Sequence, residues 1–483
     1  MIDIVENRSK SYVVTELIRR IFLSSNLGNK RDKSKLVEMS QENILKAVFV
    51  LAWPVIIEML LHSSVGIADT AMVGRLGPAS IAAIGLGNQL VMFATTIFAA
   101  VRTGATVVVA RQVGEGDMEG ATTAARQALM LSVVIGVTLA IFGVLFPHVG
   151  LRLLGAEEEV VIAGVNYLRF RSIGMIFVLI TMSSTSILRG LGDTITAMYV
   201  NASVNVLNIL FNWLFIFGIW IFPEMGTAGA GFSTMLARIV GTIAMLYVLS
   251  TGKSFIKVPL RSFKKGFHKK TIKRILDVGI PAGIESIFLR GAMMGFTVIV
   301  ASLGTNLYAA HQIALRADSL AFMPGFGFSV AATTLVGQNL GAKQPDEARK
   351  AGNVTILMAM GLMGFVAMLL FIFATPVMKF FTDEMEVIVA GAEVLRIMAF
   401  FLPFMGLARV SAGGLRGAGD TKFVMWGTGV SIWVARIGVA YVLVHIFDLG
   451  LPGAWIGMSL DHLARAIIFF LRWRKGKWTK LKV

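Results

Sequence analysis

Apolar runs long enough to cross a bilayer recur along the whole chain, and they limit what it can become. A hydrocarbon core takes roughly 20 residues of α-helix. Within it every backbone polar group must find a partner inside the protein. The apolar residues fill whole segments instead of forming stripes. Of the 483 residues, 56% are hydrophobic and 15% charged, where a soluble chain carries nearer a quarter charged. Twelve spans are expected, at about 44–73, 82–109, 122–146, 161–187, 195–217, 228–250, 275–302, 309–336, 353–376, 388–412, 422–446 and 453–471. The fold class is therefore an all-α polytopic membrane protein.

Charge placement orients it. Nine Lys/Arg lie between Met1 and Lys46, nine between Gly252 and Arg274, and six after Leu471. Loops on the opposite side carry acid, as in Glu157-Glu158-Glu159 and Asp383-Glu384-Met385-Glu386. Positive charge stays on the cytoplasmic side, so both termini and the central loop are expected in the cytoplasm of a multi-pass protein of the cytoplasmic membrane. The net charge of +17 then serves orientation and anionic lipid. Nucleic acid is excluded as a partner. No small-residue cleavage site follows an apolar core near the N-terminus, so no signal peptide is expected. With no cysteine, disulfides and thiol metal sites are excluded.

The two halves are repeats, visible on shifting the chain by 227 residues. Pro54 falls on Pro281, Glu58 on Glu285, Leu76-Gly77 on Leu303-Gly304, Gly114 on Gly341, and LRGLGDT from Leu188 on LRGAGDT from Leu415. Six spans per half give both repeats the same orientation. The expected architecture is two pseudo-symmetric six-helix lobes with a central cleft. The divisions are a cytoplasmic extension 1–43, an N-lobe 44–250, a basic cytoplasmic linker 251–274, a C-lobe 275–471 and a basic tail 472–483. A monomer is expected.

Positions polar in one lobe only are candidates for a single ion site. Asp69 maps onto Phe296, and a carboxylate in a membrane span is costly and marks function. His62 and Glu58 lie seven and eleven residues before it, on the same helix face. In the fifth span Asn201, Asn205, Asn208 and Asn212 share a face, and their counterparts are Thr428, Ile432, Ala435 and Val439. An unpaired amide in lipid is unfavourable, so these amides should meet polar groups, Asp69 first among them, or join helices by hydrogen bonds. Thr234 can add a hydroxyl. Such an oxygen set suits Na⁺, or an acid that takes up a proton. The alternative for Asp69 is an ion pair with an arginine of another helix. Glu285 persists across the repeat, which gives Glu58 a shared structural role as a competing reading. Charges at membrane depth in the second half, Glu285, Arg290, Arg316, Asp318, Arg409 and Arg436, are expected to pair.

No catalytic residues are expected. Thr251-Gly252-Lys253-Ser254 resembles the end of a phosphate loop, but Tyr247 occupies the position of its first glycine. The histidines lack metal-ligand spacing. Without an ATPase or a cofactor, an ion gradient must supply the energy, each charge moved being worth about 2.3 kcal/mol per 100 mV.

The chain resembles the multidrug and toxic compound extrusion (MATE) transporters over about 44–472. The resemblance rests on Pro54, Asp69 and Leu76-Gly77, LRGLGDT, the fifth-span asparagines, AAHQIALR (309–316), FMPGFGFSVAATTLVGQNLGA (322–342) and LRGAGDT. It implies export of organic, mostly cationic and amphipathic small molecules in exchange for H⁺ or Na⁺, by alternating access. It further implies a cation site at Asp69, Asn208 and Asn212, with Thr234 near it, and metal binding limited to Na⁺ at Asp69. Glu58, His62, Asn205 and Glu285 are expected as supporting polar cavity residues, and Pro54 as the hinge. Some members have aspartate where this chain has Asn212. The glutamate that one branch uses eight residues after the seventh-span proline is Leu289 here. The alternative is a flippase for lipid-linked sugars or cell-wall precursors, which typically has fourteen spans and a cationic cavity.

Overall fold

The computed structural model describes residues 41–252 and 254–481. Residues 1–40 of the expected N-terminal extension lie outside that set. Among the described residues, twelve helices are long and apolar enough to cross a membrane. In the first repeat these are α1 (Gln41–Val73), α2 (Pro78–Gly114), α3 (Met118–Leu145), α4 (Glu158–Leu191), α5 (Thr194–Phe217) and α6 (Gly226–Thr251). The second repeat contributes α7 (Lys269–Ala301), α8 (Thr305–Gly341), α9 (Pro345–Ile372), α10 (Met385–Gly417), α11 (Thr421–His445) and α12 (Gly450–Arg474). Several overrun the expected spans, because polar turns extend each helix past its apolar run.

The chain divides into two compact units. Among the described residues, one holds Ile57–Gln112 and Asp117–Gly283; the other holds those up to Ile56, Val113–Gly116 and those from Ile284 onward. Two of the divisions fall within a helix just beyond a proline, two residues after Pro54 in α1 and two after Pro281 in α7, where proline removes a backbone donor. In the second unit the opening turns of α1 (Ile44, Val48, Leu51, Ala52) share a core with Phe328, Ala331 and Ala332 of α8. In the first unit the opening turns of α7 pack on α2. That contact depends on glycine: a Cβ at Gly104 would strike the Ile275 carbonyl oxygen, and one at Gly279 the Ala100 carbonyl oxygen. Small residues let helix backbones approach closely where lipid offers no hydrophobic drive. Gly104→Ala is expected to lower stability by about 1–3 kcal/mol, read as a lower unfolding midpoint in detergent. Gly361→Ala, where a Cβ meets open space, should leave the midpoint in place.

The LRGxGDT motif sets the joints between α4 and α5 and between α10 and α11. Gly192 and Gly419 adopt φ of 89° and 87°, a left-handed turn that glycine enters without steric cost. Asp193 then accepts the Thr196 backbone N–H at 3.1 Å, capping α5, and the Ser254 hydroxyl at 2.9 Å. Its counterpart Asp420 instead accepts Arg472 Nε at 2.8 Å. The basic linker is tied to α3, where Gln127 donates to the Gly266 carbonyl at 3.1 Å and accepts the His268 backbone N–H at 3.0 Å.

Candidate functional site

Within the first unit, α1, α2, α4, α5 and α6 enclose a cavity of about 400 Å³, within the size range of small-molecule sites. Of the residues the sequence singled out, Asp69, His62, Asn205, Asn208, Asn212 and Thr234 all line it. Asn212 Nδ2 donates to Asp69 Oδ1 at 2.6 Å. Asn208 Nδ2 donates to Thr234 Oγ1 at 3.2 Å, and that hydroxyl donates to the Ala230 carbonyl at 2.9 Å. The 3-4 spacing of Asn205, Asn208 and Asn212 on α5 places the three amides on one buried face, opposite the carboxylate. Among the described residues the partner of Asp69 is this amide and not an arginine. Asn212 Oδ1 is buried with no hydrogen-bond partner, so a free acceptor lies on the amide that binds the acid. A proton or a small cation can satisfy it: with the amide turned, protonated Asp69 donates to Oδ1, and a bound cation accepts Oδ1 as an oxygen ligand.

Glu58 and Asn201 are engaged elsewhere. Arg189 Nη2 reaches Glu58 Oε2 at 3.0 Å, and Asn201 Nδ2 donates to Glu58 Oε1 at 3.0 Å and to Thr185 Oγ1 at 3.1 Å. Glu285, in the second unit, is held in the same way: Arg416 Nη2 lies 2.6 Å from Oε1, and the Thr428 hydroxyl donates to Oε1 at 3.0 Å. Every member of one triad maps onto the other by the 227-residue shift. The arginine of LRGxGDT therefore neutralises the glutamate of the first helix in each repeat. Neither glutamate lines the cavity, and both serve as ion-paired anchors, Glu285 buried and Glu58 partly so. In each repeat this pairing joins helices distant in sequence, as charges at membrane depth require.

A second charge cluster of this unit lies on α11 and α12. Asp461 is bound by Arg436, Arg465 and the Ser431 hydroxyl, the last at 2.8 Å. His462 lies 3.3 Å from Arg436 Nη2 and 3.1 Å from Arg465 Nη2. Ile432–Val439 forms a π-helical stretch, which carries Arg436 to this acid. Arg409 stacks on the Phe322 ring, its guanidinium carbon 3.4 Å from the centroid, a cation–π contact.

The paired repeats, the one-sided acid and the amide face together mark a known kind of membrane protein. A family profile, MatE, matches residues 54–214 and 281–442, two stretches whose starts are offset by the same 227 residues. The chain belongs to the MATE family. It is a transporter and not an enzyme. It is 33% identical over 454 residues to a protein named "Probable multidrug resistance protein NorM" from Thermotoga maritima, covering 93% of this chain and 97% of that one. It is 29% identical over 434 residues to "Multidrug resistance protein PmpM" from Pseudomonas aeruginosa, covering 89% and 91%. A structure described as an outward-facing conformation of a multidrug resistance MATE family transporter of the MOP superfamily matches with a TM-score of 0.83 at 28% identity, over 89% of this chain and 95% of that one. A MOP superfamily transporter from Pyrococcus furiosus, described under the words "Reverse polarity of binding pocket suggests different function", matches with a TM-score of 0.83 at 27% identity, over 91% and 97%.

Four polar residues of this MATE cavity were not anticipated from the sequence: Asn88 on α2, Tyr167 and Arg171 on α4, and Arg238 on α6. Asn88 Oδ1 accepts from the Tyr167 hydroxyl at 3.1 Å and from Arg171 Nη2 at 3.3 Å. The signal was present. Asn88, Tyr167 and Arg171 map onto Leu315, Val394 and Met398, so they are as one-sided as Asp69.

Proposed function

We propose that this transporter expels amphipathic organic compounds from the cell in exchange for a cation, H⁺ or Na⁺, taken up at Asp69 with Asn208, Asn212 and Thr234. The single observation that carries this reading is the Asp69–Asn212 contact. It joins a one-sided acid at membrane depth to a buried amide that retains a free acceptor, on the wall of a cavity large enough for a drug-sized molecule. Relatives named as multidrug resistance proteins support the export of varied compounds. Asp69 lies on α1 beyond Pro54, in the stretch that belongs to the first unit. Neutralising the acid removes its charge from the cavity wall and changes the pose of that stretch, with Pro54 as hinge. A cation that binds one pose better than another shifts the population between them. Repeats 44–250 and 275–471 act as the two lobes, with both termini in the cytoplasm.

The test is efflux of ethidium or norfloxacin from proteoliposomes, driven in separate experiments by a proton gradient and by a sodium gradient. Uphill movement driven by one gradient assigns the ion. Movement driven by neither overturns the proposal.

A further inference from the structure

The charges on the cavity wall do not balance. Asp69 contributes one negative charge, and Arg171 and Arg238 two positive ones. Glu58 does not correct the sum, because it is matched by Arg189. The repeat shows how the excess arises. Arg238 ends a Leu-Ala-Arg tripeptide that the 227-residue shift places on Leu463-Ala464-Arg465. Arg465 is neutralised by Asp461, one turn earlier on α12. The same shift places Asp461 on Thr234. In the first repeat the acid is thus replaced by a hydroxyl that bonds to Asn208, and Arg238 has no hydrogen bond or ion pair within 4.0 Å among the described residues. Arg171 is the second half of the excess. Its hydrogen-bond partners are neutral, the Asn88 carbonyl at 3.3 Å and the Tyr167 hydroxyl, and its Nε is buried without a partner. Two arginines at membrane depth that share a cavity with a single carboxylate carry a large desolvation penalty, and a ligand anion can offset it.

We propose that Arg171 and Arg238 form an anion subsite of this cavity, so that its ligand carries a carboxylate or phosphate group on an amphipathic body. Zwitterions and anionic amphiphiles are then preferred over simple organic cations. The guanidinium forks present planar donors suited to either oxyanion. Tyr167, Asn205 and Asn208 supply neutral polar contacts beside them, and Val65, Ile81 and Ile84 line the apolar part. The inference revises the substrate charge expected from the sequence and rests on the cavity being the substrate site of the exporter.

The experiment measures binding to the purified full-length protein in detergent, without any gradient, using norfloxacin (a zwitterion), its methyl ester (which lacks the carboxylate) and ethidium (a cation). Arg171→Gln and Arg238→Gln are each expected to weaken norfloxacin binding by roughly tenfold or more, leaving the ester and ethidium unchanged or tighter. Arg→Lys variants should recover part of the loss. Thr234→Asp, which rebuilds the neutralised pair of the second repeat while keeping both arginines, should also depress norfloxacin selectively. Competition by a short-chain phosphatidic acid, set against its uncharged diacylglycerol, tells whether a lipid phosphate is also accepted. Equal binding of norfloxacin and its ester by the native protein overturns the proposal. So does a parallel loss of all three ligands in the Gln and Asp variants, or no loss in any. Intact norfloxacin selectivity without gradient-driven transport overturns the coupling role of Asp69 and leaves the anion subsite standing.

Discussion

Asp69→Asn is expected to abolish uphill export while preserving the fold and the cavity. The substituted amide has nearly the shape of the carboxylate and can still accept from Asn212 Nδ2, which now donates to Asp69 Oδ1 at 2.6 Å. The local hydrogen bond therefore survives and the charge does not. An ion can drive transport only through a difference in its affinity for the two conformations, and a neutral side chain offers neither a proton site nor a strong cation ligand. Proteoliposomes carrying the variant should equilibrate ethidium or norfloxacin without concentrating either, under both gradients. Binding should respond differently. With the one acid gone, the cavity wall carries Arg171 and Arg238 alone, so norfloxacin should bind at least as tightly as before while ethidium gains nothing by attraction to Asp69. Uphill export by the variant would show that the energy enters elsewhere, and the C-lobe charges would then be the place to look.

Much of this was legible from residues alone, because the two constraints that dominate the fold are local or periodic. Span length gave the helix count, and the 227-residue shift gave the repeat, down to proline positions in α1 and α7 that lie two residues from the unit divisions. The amide face of α5 followed from spacing, and its meeting with Asp69 follows from the price of burying either alone. Partner choice among charges was not legible. Glu58 was read as a neighbour of Asp69 because the two share a face of α1, yet a helix face says nothing about which other helix lies against each turn. The Glu58–Arg189 pair joins α1 to the end of α4, and only packing brings them together. Comparing the repeats could have found it, since Glu58 and Arg189 each have a matched copy in Glu285 and Arg416. A charge pair duplicated as a pair is more economically explained by mutual neutralisation than by two separate functions. Arg171 and Arg238 were missed for the opposite reason. Attention to acids as ion sites passed over the basic residues, although the symmetry argument that selected Asp69 applies to Arg171 against Met398, and Arg238 is matched by Arg465 but lacks a counterpart of Asp461.

The second repeat also gives the largest stability effect expected in the molecule, at Asp461. Its side chain is fully buried between Arg436 at 2.9 Å and Arg465 on its own helix, with Ser431 donating at 2.8 Å. Building such a cluster is close to neutral against an apolar core, because desolvation offsets the attraction. Breaking it is a different matter. Asp461→Ala leaves two guanidinium groups facing each other with no acid between them, and His462 beside both cannot supply a negative charge. The expected loss is about 3–5 kcal/mol, seen as a markedly lower unfolding midpoint of the purified protein in detergent. The π-helical stretch Ile432–Val439 that carries Arg436 should loosen with it, because Arg436 is the residue of that stretch bound to Asp461. Replacing the cluster as a whole, with Asp461→Leu, Arg436→Met and Arg465→Met together, should recover most of the stability, since no unpaired charge then remains buried. An unchanged midpoint in Asp461→Ala would mean that water reaches the arginines. The contrast between a neutralised Arg465 and an open Arg238, on which the anion subsite depends, would then lose its physical basis.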